Sequence, residues 1–136
     1  MGNATYGMGT VFKIGASAIG ELTEIEGISM SAETVDITTL SSSNGYREFV
    51  QGLKDGGEVT MSGFFYPADA GQTALIAAFE GGTTDTYTIT FPTGIGKEWT
   101  FSGIITAITT GVTMEDPVTF ECTVKVTGKP SLSTVV

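Results

Sequence analysis

Val118-Thr119-Phe120-Glu121-Cys122-Thr123-Val124-Lys125-Val126-Thr127 alternates apolar and polar residues without a break, and no other run in the chain is as regular. A period of two belongs to a β-strand, because successive side chains leave opposite sides of the pleat. Val118, Phe120, Cys122, Val124 and Val126 make one dry face, against a wet face of Thr119, Glu121, Thr123, Lys125 and Thr127. The same alternation recurs in Val59, Met61, Gly63 and Phe65, in Tyr87, Ile89 and Phe91, and in Trp99, Phe101, Gly103 and Ile105. Weaker strands are expected at Thr10–Gly15, Leu22–Met30 and Glu33–Thr39, the last with Val35 and Ile37 facing away from Thr34, Asp36 and Thr38.

One stretch has a different period. Between Asp69 and Glu80, Leu75, Ile76 and Phe79 recur at helical spacing in an alanine-rich setting, with a start near Pro67 and a stop at Gly81-Gly82. The spacing predicts one helix whose apolar stripe packs on the sheet. Short turns such as Pro92-Thr93-Gly94-Ile95-Gly96 predict hairpins, so neighbouring strands are expected to run antiparallel. The fold class that follows is mainly β, an α+β chain leaning strongly to β.

Residues 40–57 have no clean period and are expected as a long inter-strand loop. Tyr46, Phe49, Val50 and Leu53 are large apolar groups for a solvated loop. Two readings are open: a partner surface covers them, or the segment folds back on its own domain.

A length of 136 residues suits one domain, 1–136. With no histidine and Cys122 as the single cysteine, the usual metal sites and any disulfide framework are excluded within one chain, and a reducing cytoplasm suits it. Neither a signal peptide at Met1-Gly2-Asn3-Ala4-Thr5 nor an apolar run long enough to span a membrane is found. The net charge of −9 disfavours ordinary nucleic-acid binding, which needs surplus Lys and Arg. Charged residues are only 15% of the chain, which points to an acidic folded body rather than an acidic disordered one.

The residues that could carry chemistry do not converge. Histidine-dependent triads cannot be built, and no motif supports a Ser-Lys dyad. Gly96-Lys97 fails as a phosphate loop, because Glu98 stands where Ser or Thr is needed and Phe91 where the first glycine belongs. Glu24 with Glu26, and Glu115-Asp116 before Pro117, fit a solvated strand face and a turn better than a carboxylate pair or calcium site. Cys122 reads as a core hydrophobe, and Asn3-Ala4-Thr5 as an unused sequon. No enzyme activity, cofactor or metal is expected.

The order of elements resembles a known family. Glu33-Thr34-Val35-Asp36-Ile37-Thr38-Thr39-Leu40, then Tyr46-Arg47-Glu48-Phe49 and Gly52-Leu53-Lys54-Asp55-Gly56-Gly57, then the strand from Glu58 to Phe65, is similar to the major tail tube proteins of siphophages. The helix around Gln72-Thr73-Ala74-Leu75-Ile76-Ala77-Ala78-Phe79, the run Tyr87-Thr88-Ile89-Thr90-Phe91-Pro92 and the close from Thr119 to Pro130-Ser131 resemble the amino-terminal domain of lambda-type members. Those relatives carry a further immunoglobulin-like domain for which the residues up to Val136 leave no room, so its host-surface role is not expected.

The resemblance implies a two-sheet sandwich flanked by a helix, six subunits per ring, and rings stacked into a hollow tube that conducts viral DNA. It implies a virion tail location after synthesis in the bacterial cytoplasm. The partners it implies are further copies of the chain, a tape-measure protein, a tail-tip initiator and a tail terminator. It puts strands around Val35, Met61, Phe101 and Val124 on the inner sheet. The expected lumen lining is then Thr34, Asp36, Thr38, Glu58, Thr60, Ser62, Thr100, Ser102, Thr119, Glu121, Thr123 and Lys125. In the 40–57 loop, Tyr46, Phe49 and Leu53 are the expected ring-to-ring anchors beside Glu48, with Arg47, Lys54 and Asp55 as candidates for intersubunit ion pairs. Residues 1–9 and 128–136 are expected to be loose until assembly. Rival expectations are the tube of a pyocin-like or contractile injection machine, a β-rich capsid decoration or adhesin domain, and, more remotely, a small-ligand barrel.

Overall fold

The computed structural model describes residues 7–92 and 94–134. Nine strands and one helix follow the chain: β1 (Val11–Ile14), β2 (Ser17–Ala18), β3 (Leu22–Glu26), β4 (Ser31–Asp36), β5 (Phe49–Asp55), β6 (Glu58–Phe64), α1 (Ala70–Gly81), β7 (Asp85–Thr90), β8 (Lys97–Gly111) and β9 (Thr119–Thr134). Seven strands form one antiparallel sheet in the order β2-β1-β7-β8-β9-β6-β3. The other two, β4 and β5, pair only with each other.

The long strands β8 and β9 bend the large sheet, and their register shows where. One shift lies between Thr100 and Ser102, opposite Gly128, whose φ is +82°, and another lies between Ile105 and Ala107. Bulges of this kind increase local twist and turn a strand toward a new direction. The first part of β8 pairs with β7, and its later part pairs with β9 beside β6. The large sheet curls so that its two halves share a core, and the expected sandwich is met only in part, since the second sheet is the β4–β5 pair.

That core is built from the dry faces foreseen in the alternation. Phe12, Val59, Met61, Tyr87, Ile89, Phe101, Phe120, Cys122 and Val124 are all buried. Phe12 meets Phe101 edge-on at 6.3 Å, and Tyr87 stacks on Phe101 at 5.7 Å, so β1, β7 and β8 are locked through one aromatic cluster.

Helix α1 closes the core against β1, β2 and β8. Asp69 caps it by accepting from the amide of Gln72 at 3.0 Å, and Gly82, at a φ of +63°, ends it in the left-handed conformation that glycine adopts without strain. The buried stripe is Gly71, Gln72, Leu75 and Ala78. Phe79, expected on that stripe, stays exposed. The helix is rotated so that its small residues face the sheet, where a side chain at Gly71 would strike the Ala18 backbone.

Two segments differ from expectation. Residues 40–57 are not a long loop: they supply a 3-10 turn at Ser43–Gly45 and strand β5, which returns along β4. The irregular sequence hides this strand because neither face of the β4–β5 pair packs on the domain, so no alternation was required. Residues 128–134 are not a loose end but the second half of β9, paired with Lys97–Thr100. Of the amino-terminal stretch, only 7–9 falls within the described residues, in a turn that leads into β1.

Candidate functional site

The surface of interest is the wet face of the curled sheet over β3, β6, β9 and the later half of β8. Register places its side chains in rows. Glu24, Ser62, Glu121 and Thr109 lie side by side across four strands, and Glu26, Thr60, Thr123 and Ala107 form the next row. Glu58 lies opposite Lys125, which lies opposite Ile104, and Thr119 sits between Phe64 and Gly111. The expected residues Glu58, Thr60, Ser62, Thr119, Glu121, Thr123 and Lys125 therefore form one contiguous patch, and none of them is buried. Ser102 and Thr100 continue the same face toward β7, opposite Thr86 and Thr88.

Thr34, Asp36 and Thr38 do not join this patch. The strand around Val35 was expected beside those of Met61, Phe101 and Val124, but it lies outside the seven-stranded sheet. Strand β3 occupies the edge of β6, with Ile25 opposite Met61, so no edge is left there for β4. The same substitution adds Glu24 and Glu26 to the wet face. Their shared strand face was visible in the sequence, but their neighbours were not.

The β4–β5 hairpin forms an arm. All six residues of β4 are exposed, as is every residue of β5 except Gly52, which is half-buried. Val35 pairs with Val50 on one side, while Phe49 faces Asp36 on the other, so both sides carry apolar groups. Tyr46, Arg47, Glu48, Phe49, Leu53, Lys54 and Asp55 all lie on this arm, and Tyr46, Phe49 and Leu53 are exposed.

Two of the three expected intersubunit ion-pairing residues are already engaged within the chain. Arg47 Nη1 donates to Asp36 Oδ2 at 3.0 Å, and Lys125 Nζ donates to Asp55 Oδ1 at 2.8 Å. Hydrogen bonds from Thr38, with help from Arg47, hold the Asp36 carboxyl below its ordinary range. Lys125 and the Gly57 amide do the same for Asp55. The second pair ties the base of the arm to β9. Gly57, at a φ of +79°, lies against the carbonyl of Ser29 and accepts from the Val126 amide at 2.9 Å, so the arm leaves the sheet through a tight, glycine-dependent joint.

Gln72 was not singled out by its sequence context, yet it is fully buried. Its Oε1 accepts from the Tyr66 amide at 2.9 Å, and its Nε2 donates to the carbonyls of Phe64 and Gly20. Three backbone groups from two segments are thereby satisfied by one side chain.

A cleft of about 720 Å³ opens between the β3 edge and the end of β7, lined by Leu22, Ile25, Ile89, Phe91 and Ile95 among others. Among the described residues no group of His, Cys, Asp and Glu is arranged to hold a metal, and no helix is long and apolar enough to cross a membrane. Lys97 lies at the start of β8 after the turn from β7 and donates to Thr134 Oγ1 at 2.7 Å, away from any phosphate-loop geometry.

This curled antiparallel sheet closed by one helix matches the fold of solved tail tubes of phages and phage-like particles. The tail of an empty gene transfer agent particle, refined with helical C6 symmetry, is 24% identical and superposes with a TM-score of 0.82 over 96% of this chain and 100% of that one. A chain of the sheath-tube complex of an extracellular contractile injection system in its extended state is 16% identical, with a TM-score of 0.71 over 93% of this chain and 88% of that one. The SPP1 tail tube is 14% identical, with a TM-score of 0.68 over 93% and 76%. No curated protein sequence matches the chain. Residues 10–133 match the model of the lambda phage tail tube protein family, and the chain belongs to that family.

Proposed function

We propose that this chain is the major tail tube subunit of a long non-contractile phage tail, assembling as stacked hexameric rings into a hollow tube that conducts genomic DNA. The observation that carries the reading is the contiguous wet face over β3, β6, β9 and β8, where Glu24, Glu26, Glu58 and Glu121 stand among threonines and serines. Lys125, which stands on this face, is paired with Asp55.

Among the described residues, strands β3, β6, β9 and the later half of β8 make four neighbours with a free edge on each side, since β7 pairs with β8 only from Glu98 to Gly103. A free edge invites pairing with another chain, and joining unlike edges head to tail closes a ring. Six such quartets would form a barrel wide enough to stay open. DNA presents about one negative charge per 1.7 Å of axis, so an acidic wall repels it and lets it slide. The face therefore serves by failing to bind. It has no catalytic role in this reading, and the chain acts without cofactor. A tape-measure protein, a tail-tip initiator and a tail terminator would be its other partners, and the virion tail its destination after synthesis in the bacterial cytoplasm.

Electron microscopy of concentrated protein tests the reading. Hollow tubes with six-fold rings and the Glu24–Glu121 face toward the channel are expected. A tube map with that face between subunits or on the outside would overturn the lumen assignment, and protein that never forms tubes would overturn the function. The likeness to a contractile injection tube keeps one alternative in view, and a sheath around native tubes would favour it.

A further inference from the structure

The chain has six lysines and arginines, and three of them meet around one carboxylate at the base of the arm. Lys125 stands on the wet face of β9 and donates to Asp55 Oδ1 at 2.8 Å. Lys54 precedes Asp55 on β5, and Lys129 lies farther along β9. Both line a cleft of about 560 Å³ between the arm base and β9, and among the described residues Asp55 is the one carboxylate on its wall. Glu58 lies opposite Lys125 on β6, yet the ammonium bonds to Asp55.

Asp55 is set in place before Lys125 reaches it. The Gly57 amide donates to the same Oδ1 at 2.7 Å, in the tight joint between β5 and β6, so the carboxylate is oriented by the backbone. Lys125 and the Gly57 amide also hold it ionised at neutral pH. This matters on a wall that DNA must pass. An ammonium that contacts phosphate displaces counterions and gives DNA a foothold. A carboxylate bonded to that ammonium lies well inside the screening length of about 8–10 Å, so a passing phosphate meets a dipole in place of a free charge.

We infer that Asp55 is a positioning residue for DNA passage: it masks Lys125, within the lysine cluster at the arm base, so that the acidic wall offers DNA no place to stick. The inference deepens the tube reading above and rests on it. The Lys125 side chain is 36% exposed even while bonded, so loss of its partner would leave the ammonium free to reach phosphate. Repeated by the symmetry of a ring, each unmasked lysine would recur at the same height, and several contacts on one duplex would add in their effect on binding.

Co-sedimentation of a short fluorescent DNA duplex with assembled tubes tests the masking. Asp55→Asn tubes should retain at least about tenfold more DNA than wild type at about 50 mM salt and release it by about 200 mM, since each lysine–phosphate contact weakens about threefold over that range. Asp55→Glu keeps the charge and should behave as wild type. Adding Lys125→Gln to Asp55→Asn should lower retention at least threefold, which a merely structural role for Asp55 would not produce. Asp55→Asn tubes that retain no more DNA than wild type would overturn the masking alone. So would exclusion of Asp55→Asn from tubes even when it is co-assembled with wild type, because Asp55 would then act in assembly. Wild-type protein that forms no tubes would overturn both the masking and the tube reading.

Discussion

Replacing Phe49 and Leu53 with Ala separates assembly from folding. In the isolated subunit Phe49 is 54% exposed and Leu53 is 80% exposed, so about half of the Phe49 surface and most of the Leu53 surface contribute nothing to the monomer. Full burial of such a side chain is worth about 1.5–3 kcal/mol, and the fractions still exposed leave about 1 kcal/mol for Phe49 and about 1.5–2 kcal/mol for Leu53 to be gained on assembly. Together they give about 2.5–3 kcal/mol per subunit, equivalent to a factor of about 70–150 in the critical concentration. The assay is sedimentation of tubes across a concentration series, with negative-stain images and a thermal melt of the soluble fraction. The expected result is a critical concentration raised by about two orders of magnitude with a melting temperature lowered by no more than about 5 °C. Tubes forming at the wild-type concentration would show that the arm is not part of the interface. A large fall in melting temperature would show instead that the arm folds back on its own domain.

Three further outcomes follow from the same structure. Leu75→Ala removes a fully buried side chain between helix and sheet and should cost about 2–5 kcal/mol, measured by denaturant unfolding of the monomer. Asp55 and Asp36 titrate below their ordinary value of 3.8, so their pairs contribute in full above that value and are lost as the pH falls below it. Amide exchange in the arm should accelerate in that acid range before exchange in β6 and β9 does, with only a small effect because both carboxyls are exposed. Burial pushes the Cys122 thiol up to about 12, so a thiol reagent at pH 8 should react only as fast as the protein opens.

The strands of the core were legible because each must bury one face. Phe120, Cys122 and Val124 alternate with Glu121 and Thr123 for that reason, and the structure buries the first set and leaves the second set unburied. The helix was legible from its cap and stop, though not its rotation: Phe79 fits an apolar stripe, but only small residues allow the close approach at Gly71. Of the arm, β4 was legible in the strand expected at Glu33–Thr39, but the returning strand β5 was not. Alternation marks a boundary between core and solvent, and β5 has solvent on both sides.

Which strand lies beside β6 was likewise undecidable from local pattern. Strands β3 and β4 both place carboxylates on a wet face, Glu24 and Glu26 in one and Asp36 in the other. Only one can hold the β6 edge, and that competition depends on chain path and pairing across the whole sheet. The sequence by itself determined an acidic, histidine-free β domain with alternating dry and wet strand faces, because those properties are carried by composition and local alternation. The tertiary structure alone decided that Lys125 pairs with Asp55, 70 residues away, and that the wet face gains Glu24 and Glu26 while Thr34, Asp36 and Thr38 leave with the arm. Long-range pairing sets those neighbours, and no local pattern encodes it.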